Sequence, residues 1–102
     1  MLLVKETSPN GHLLYGRTVV GTSPTQLTSV KGPFVRGILI RAPGLGESGA
    51  NSDSVEIGDI NVETSTGFSI LPGGAIEVPA EDPSSLYVIS GTPGQNLQWI
   101  GM

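Results

Sequence analysis

The residues that could do chemistry in this 102-residue chain are few, and the first to weigh is a glycine pattern. Gly44-Leu45-Gly46-Glu47-Ser48-Gly49 matches G-x-G-x-x-G and follows an apolar run that reads as a strand. In a dinucleotide site that pattern opens a helix whose N-terminus faces the pyrophosphate. Here Ala50-Asn51-Ser52-Asp53-Ser54 and a second strand pattern follow, so the segment reads as a glycine-rich loop. His12 is the single histidine, too few imidazoles for a cupin-type metal site, and it reads as a surface or interface residue. Cysteine is absent, which excludes disulfides, thiolate zinc sites and a cysteine nucleophile. No serine lies in G-x-S-x-G. Glu81-Asp82 and Asp53 with Asp59 read as loop carboxylates, a loose calcium site being the alternative. No catalytic constellation, cofactor site or metal site is expected.

The charges are more informative. All five basic residues, Lys5, Arg17, Lys31, Arg36 and Arg41, lie in the first 41 positions, opposed there only by Glu6. Residues 42–102 hold eight acids and no base, which returns the net charge of −4. Either the two halves pair across a sheet, or one end is basic and the other acidic and copies dock by complementary potential. The acidic total argues against nucleic acid as a partner. No apolar run approaches 18 residues, so no membrane helix is expected.

The elements that must position these residues follow from punctuation. Fifteen glycines and eight prolines make up almost a quarter of the chain, and no stretch free of both exceeds eight residues. Each interior Gly costs a helix about 1 kcal/mol and each Pro about 3. Between the breaks stand Val, Ile, Leu and Thr in alternation, which suits pleated sheets. Residues 34–41 read as the clearest strand, with Phe34, Arg36, Ile38 and Ile40 on one face and Val35, Gly37, Leu39 and Arg41 on the other. Its middle is apolar on both faces, as in a central sandwich strand or one covered by a second subunit. Residues 12–15 and 17–20 read as short strands around Gly16, and residues 26–30 as an edge strand. Between Ile57 and Ile60 the apolar phase flips, so a bulge or turn is expected at Gly58-Asp59. Residues 68–71 and 75–78 read as a hairpin about Pro72-Gly73-Gly74, and residues 86–89 and 97–100 as the last strands. The expectation is an all-β domain over residues 1–102: a small antiparallel β-sandwich of jelly-roll or Greek-key type, with seven to nine short strands and no long helix.

Both chain ends are apolar. Residues 1–8 are expected to be a docking arm or edge strand, and Trp99 to be buried in the core or in a subunit interface. The interface candidates are Leu2, Leu3, Val4, Lys5, Leu14, Tyr15, Arg17, Arg36, Arg41 and Trp99.

The second half carries a further pattern: Ser54-Val55-Glu56-Ile57-Gly58, then TSTGFSILPGGAIEV over residues 64–78, then SLYVISGTPGQ over residues 85–95. Across residues 54–98 this resembles small virion proteins of tailed bacteriophages. The resemblance implies a jelly-roll sandwich that decorates or cements the outer capsid surface, as a dimer or trimer bound to the major capsid protein. A head-fibre or tail module binding a receptor or glycan is the alternative it leaves open.

Overall fold

A computed structural model describes residues 14–29, 37–79 and 82–101. The expected all-β sandwich is what forms. Eight antiparallel strands and one short 3₁₀ turn, Pro83–Ser85, follow one another as β1 (Leu14–Val20), β2 (Thr25–Gln26), β3 (Ile38–Arg41), β4 (Val55–Gly58), β5 (Phe68–Ile70), β6 (Ala75–Val78), β7 (Tyr87–Ile89) and β8 (Gln95–Gly101). Sheet A has the order β1-β8-β3-β6 and sheet B the order β2-β7-β4-β5. Strands therefore pair first with eighth, second with seventh, third with sixth and fourth with fifth. That is one long antiparallel hairpin wrapped into two layers, the jelly-roll arrangement.

Alternation in each strand sends one set of side chains between the layers. Val20, Ile38, Ile40, Leu97 and Trp99 from sheet A meet Val55, Ile57, Ile70 and Val88 from sheet B, with Leu27 and Ala42 closing the ends. β8 sits between β1 and β3, and β7 between β2 and β4, so the strands richest in buried residues are the central ones. β1 runs unbroken through Gly16 where two strands were expected to meet, residues 12 and 13 of the first lying outside the described residues. A Cβ on Gly16 would stand 3.0 Å from the Trp99 ring, so the glycine accommodates the indole.

Three expectations are corrected. Of the strand expected over residues 34–41, residues 34–36 lie outside the described residues; among the described ones it begins at Ile38, since Gly37 holds a φ of +106°, outside the extended region. Its described faces follow the expected phase: Ile38 and Ile40 point inward, Leu39 and Arg41 outward. The hairpin expected about Pro72-Gly73-Gly74 does not pair with itself. β5 joins β4 in sheet B and β6 joins β3 in sheet A. The turn crosses between layers because it is tied to the chain after β3: Gly73 N–H donates to the Ala42 carbonyl at 2.8 Å, and Ala42 N–H to that of Gly74 at 2.9 Å. Third, of the edge strand expected over residues 26–30, the described part is only Thr25–Gln26, since Leu27 turns into the core while its N–H holds the Leu86 carbonyl; residue 30 lies outside the described residues. The expected break at Gly58-Asp59 is a turn, closed by Val62 N–H on the Asp59 carbonyl at 3.0 Å.

Candidate functional site

The outer face of sheet A gathers most of the described interface candidates. Strand register builds it in rows. Tyr15 of β1 pairs with Ile100 of β8, Ile100 with Leu39 of β3, and Leu39 with Glu77 of β6. In the next row stand Arg17, Gln98, Arg41 and Ala75. Tyr15 is 78% exposed and Leu39 37%, and Arg17, Ala75 and Glu77 are exposed too. Side chains of β1, β3 and β8 line an open groove of 690 Å³ on this face, most of its wall being apolar.

The glycine-rich loop, residues 42–54, stands beside the Arg17 and Arg41 end of the groove: its Glu47 pairs with Arg41 and its Gly49 lies next to the Arg17 guanidinium. Its rigidity comes from amide side chains. Buried Asn51 donates from Nδ2 to the Asn96 carbonyl at 2.8 Å and accepts the Asn96 N–H at 2.6 Å. Buried Gln95 accepts from the N–H groups of Ser52 and Asp53 at 2.8 and 3.0 Å. No helix follows the third glycine; the segment is a series of turns. Within it, Glu47 accepts the Gly44 N–H at 2.6 Å and pairs with Arg41, whose other guanidinium nitrogen donates to Gln98 Oε1 at 3.0 Å. The Gly44 amide first, and then Arg41, hold the Glu47 carboxyl below the ordinary glutamate value.

Charges on this face are placed apart. Arg17 stands on edge strand β1 and Glu77 on edge strand β6. Neither makes a hydrogen bond or ion pair with the other described residues.

Of the candidates, Tyr15, Arg17 and Arg41 come together in the groove, and Leu14 lies at the start of β1, half open to solvent. Trp99 is only 7% exposed: its ring packs among core residues and reaches the groove from beneath. Leu2, Leu3, Val4, Lys5 and Arg36 lie outside the described residues, as does His12. The sequence reasoning missed Leu39, Gln98 and Ile100 as surface residues. Their signal was the even phase of β8 and the two-faced apolar middle of β3.

The opposite outer face, on sheet B, is different. Glu56 is 4% exposed, yet it lies in the outward phase of β4, between Val55 and Ile57. Its Oε2 accepts from the hydroxyls of Ser54 at 2.9 Å and Ser69 at 2.7 Å. The turn after β4 folds back over it, so that Val62 is buried against Gly58 and Gly67. A Cβ on Gly67 would meet both Glu56 and Val62 at 2.7 Å. Ile89, outward on β7 beside Glu56, is buried as well.

Among the described residues no group of three or more His, Cys, Asp or Glu comes together as a metal cage, and no helix is long and apolar enough to cross a membrane. Fold and site together define a small jelly-roll protein with one self-covered sheet and one open, apolar-centred sheet. No family model, curated protein or solved structure matches the chain.

Proposed function

We propose that this chain is a structural virion protein of the capsid-decoration type, homo-oligomeric, which binds the outer shell and bridges neighbouring major capsid protein subunits. It works through surfaces rather than through catalysis. The observation that carries the reading is the outer face of sheet A: Tyr15, Leu39 and Ile100 form an apolar strip on rigid strands, flanked by Arg17 and Arg41. An apolar patch edged by polar groups marks a protein interaction site. The resemblance over residues 54–98 supplies the shell as the assembly. Symmetric repetition on a shell gives avidity from modest single contacts. The expected arm, residues 1–8, would then reach the shell; it lies outside the described residues.

The test is stoichiometry. Quantitative mass spectrometry of purified virions should find this chain in a fixed ratio to the major capsid protein, on the order of one copy per few shell subunits. Absence from virions overturns the proposal. A few copies confined to the tail or a fibre favour the second reading, a receptor- or glycan-binding module. That reading draws on Tyr15, the one ring standing open at the groove; Trp99, under the sheet, offers no second stacking platform.

A further inference from the structure

We infer that the outer face of sheet A is the contact between two copies of this chain, related by a two-fold axis that runs along the strands between β8 and β3. The inference rests on the assembly reading above and names the partner of that same face.

Two charges on this face have no partner among the described residues. Arg17 and Glu77 stand on opposite edges of one sheet. Three strand spacings separate them, about 14 Å, too far for a pair within one copy. Between them lie Ile100 and Leu39, adjacent in register and apolar. A face with an apolar centre and opposite charges on its two edges is complementary to itself. Closed dimers use such self-complementary patches, each residue meeting its counterpart twice.

The direction of the axis follows from the register. Rotation about an axis along the strands lays β1 over β6 of the second copy and β8 over its β3. Ile100 then meets the partner subunit's Leu39, and Tyr15 meets the partner subunit's Glu77. Arg17 lies over the partner subunit's Ala75, whose side chain is small, and Glu77 stands two residues along that strand. The step is about 7 Å, within the reach of an extended arginine. Each edge thus carries one new ion pair, and the dimer carries two. Rotation about an axis across the strands would instead lay β1 over β1 and set like charges near one another, which opposes association. Two sheets packed face to face keep their strands within about 30° of alignment, which the first rotation respects.

The existing contacts do not compete. Arg41 is already held by Glu47 and Gln98, so it frames the groove and is not needed across the interface. The loop over residues 42–54 approaches the face only at the Arg17 row, where its Gly49 lies beside the Arg17 guanidinium and Asn96. The open part of the face is the Tyr15–Ile100–Leu39–Glu77 row and the groove beside it.

The test is sedimentation equilibrium of the purified full-length chain with a charge swap. At tens of micromolar (about 50 µM) the wild type should sediment as a dimer. Arg17→Glu and Glu77→Arg should each weaken association at least about tenfold in Kd, and the double variant should recover to within about threefold of wild type. All four positions on the row are exposed or half-exposed, so circular dichroism should show unchanged folds. A monomeric wild type at that concentration, single variants without effect, or a double variant no better than the singles would each overturn the inference. Shell binding is read separately in the virion measurement. A chain that dimerises but is absent from virions sinks the decoration reading alone, and a monomer found on shells sinks this one alone.

Discussion

The two outer faces of the sandwich are each built on four antiparallel strands, yet they end in opposite states. On sheet B the chain covers itself: the turn after β4 lays Val62 over Gly58, and Glu56, Ile89 and Val62 are all buried there. On sheet A no turn among the described residues folds over the central rows, and Tyr15, Leu39 and Arg17 are exposed. The difference is instructive because the covered face buries a carboxylate while the open face leaves apolar side chains exposed. Glu56 is accommodated by two serine hydroxyls, whereas Leu39 and Ile100, with nothing polar to satisfy, are left to water. An apolar strip exposed on a fold that elsewhere spends a nine-residue turn on burying a carboxylate marks an interaction surface.

The sharpest way to break that contrast is to compare equal insults to the core and to the two faces. Ile38→Asp or Val88→Asp places an unpaired charge between the layers, at positions with no exposure, and should unfold the domain. The loss is several kcal/mol, about 3 to 5, and urea denaturation followed by tryptophan fluorescence would read it. Val62→Asp is the corresponding insult to the covered face. It should cost about 2 to 3 kcal/mol, since the turn can lift where the core cannot. Leu39→Asp, on the open face, should move the monomer's stability by no more than about 0.5 kcal/mol. If Leu39→Asp destabilised the monomer as much as Val62→Asp, the two faces would not differ in kind.

Much of this contrast is legible in the sequence, and the reasons for what is not are physical. Period-two alternation places Leu97 and Trp99 in one phase and Gln98 and Ile100 in the other, so both faces of β8 can be read from spacing. The dense glycine and proline breaks exclude helices and so fix the class. What spacing does not carry is which sheet a strand joins. Residues 68–70 and 75–78 alternate equally well as a hairpin or as edge strands in different layers; the choice is made by Gly73 and Gly74 bonding to Ala42, a contact some thirty residues away in the chain. The burial of Glu56 was illegible for the same reason. An outward glutamate in a strand reads as solvated, and only the fold-back of Val62 and the hydroxyl of Ser69, thirteen residues on, turn it inward-facing in effect. The glycine pattern at 44–49 misleads only if taken without its context. Here its glycines serve turns, two of them at positive φ, in a loop tied down by Asn51 and Gln95.

A finer test of the covered face is Glu56→Ala. It leaves the Ser54 and Ser69 hydroxyls without their acceptor beneath the turn. A loss of about 1 to 3 kcal/mol is expected, the usual penalty for orphaned buried polar groups. Glu56→Gln keeps one acceptor oxygen and should lose less. Equal losses in the two variants would mean that the hydroxyls do not depend on the carboxylate, and that the face is held by Val62 and Ile89 alone.

The smallest effect belongs to the loop beside the open groove. Glu47 has its carboxyl held below the ordinary glutamate value by the Gly44 amide and by Arg41. A carboxylate with a depressed folded pKa stabilises the native state above its unfolded pKa, about 4.3 for glutamate, and that contribution fades as pH falls through the folded value. The group is fully exposed, so the global effect is slight and the local one is the better readout. Carbon-detected NMR of the Glu47 side chain should show a midpoint below the ordinary glutamate value. Over the same acid range the Gly44 amide and the Arg41 guanidinium signals should shift with it. In Glu47→Gln those shifts should vanish while the fold persists, because Asn51 and Gln95 still pin the loop to β8. A Glu47 midpoint at the ordinary glutamate value would show that the loop is not fastened to Arg41 in solution.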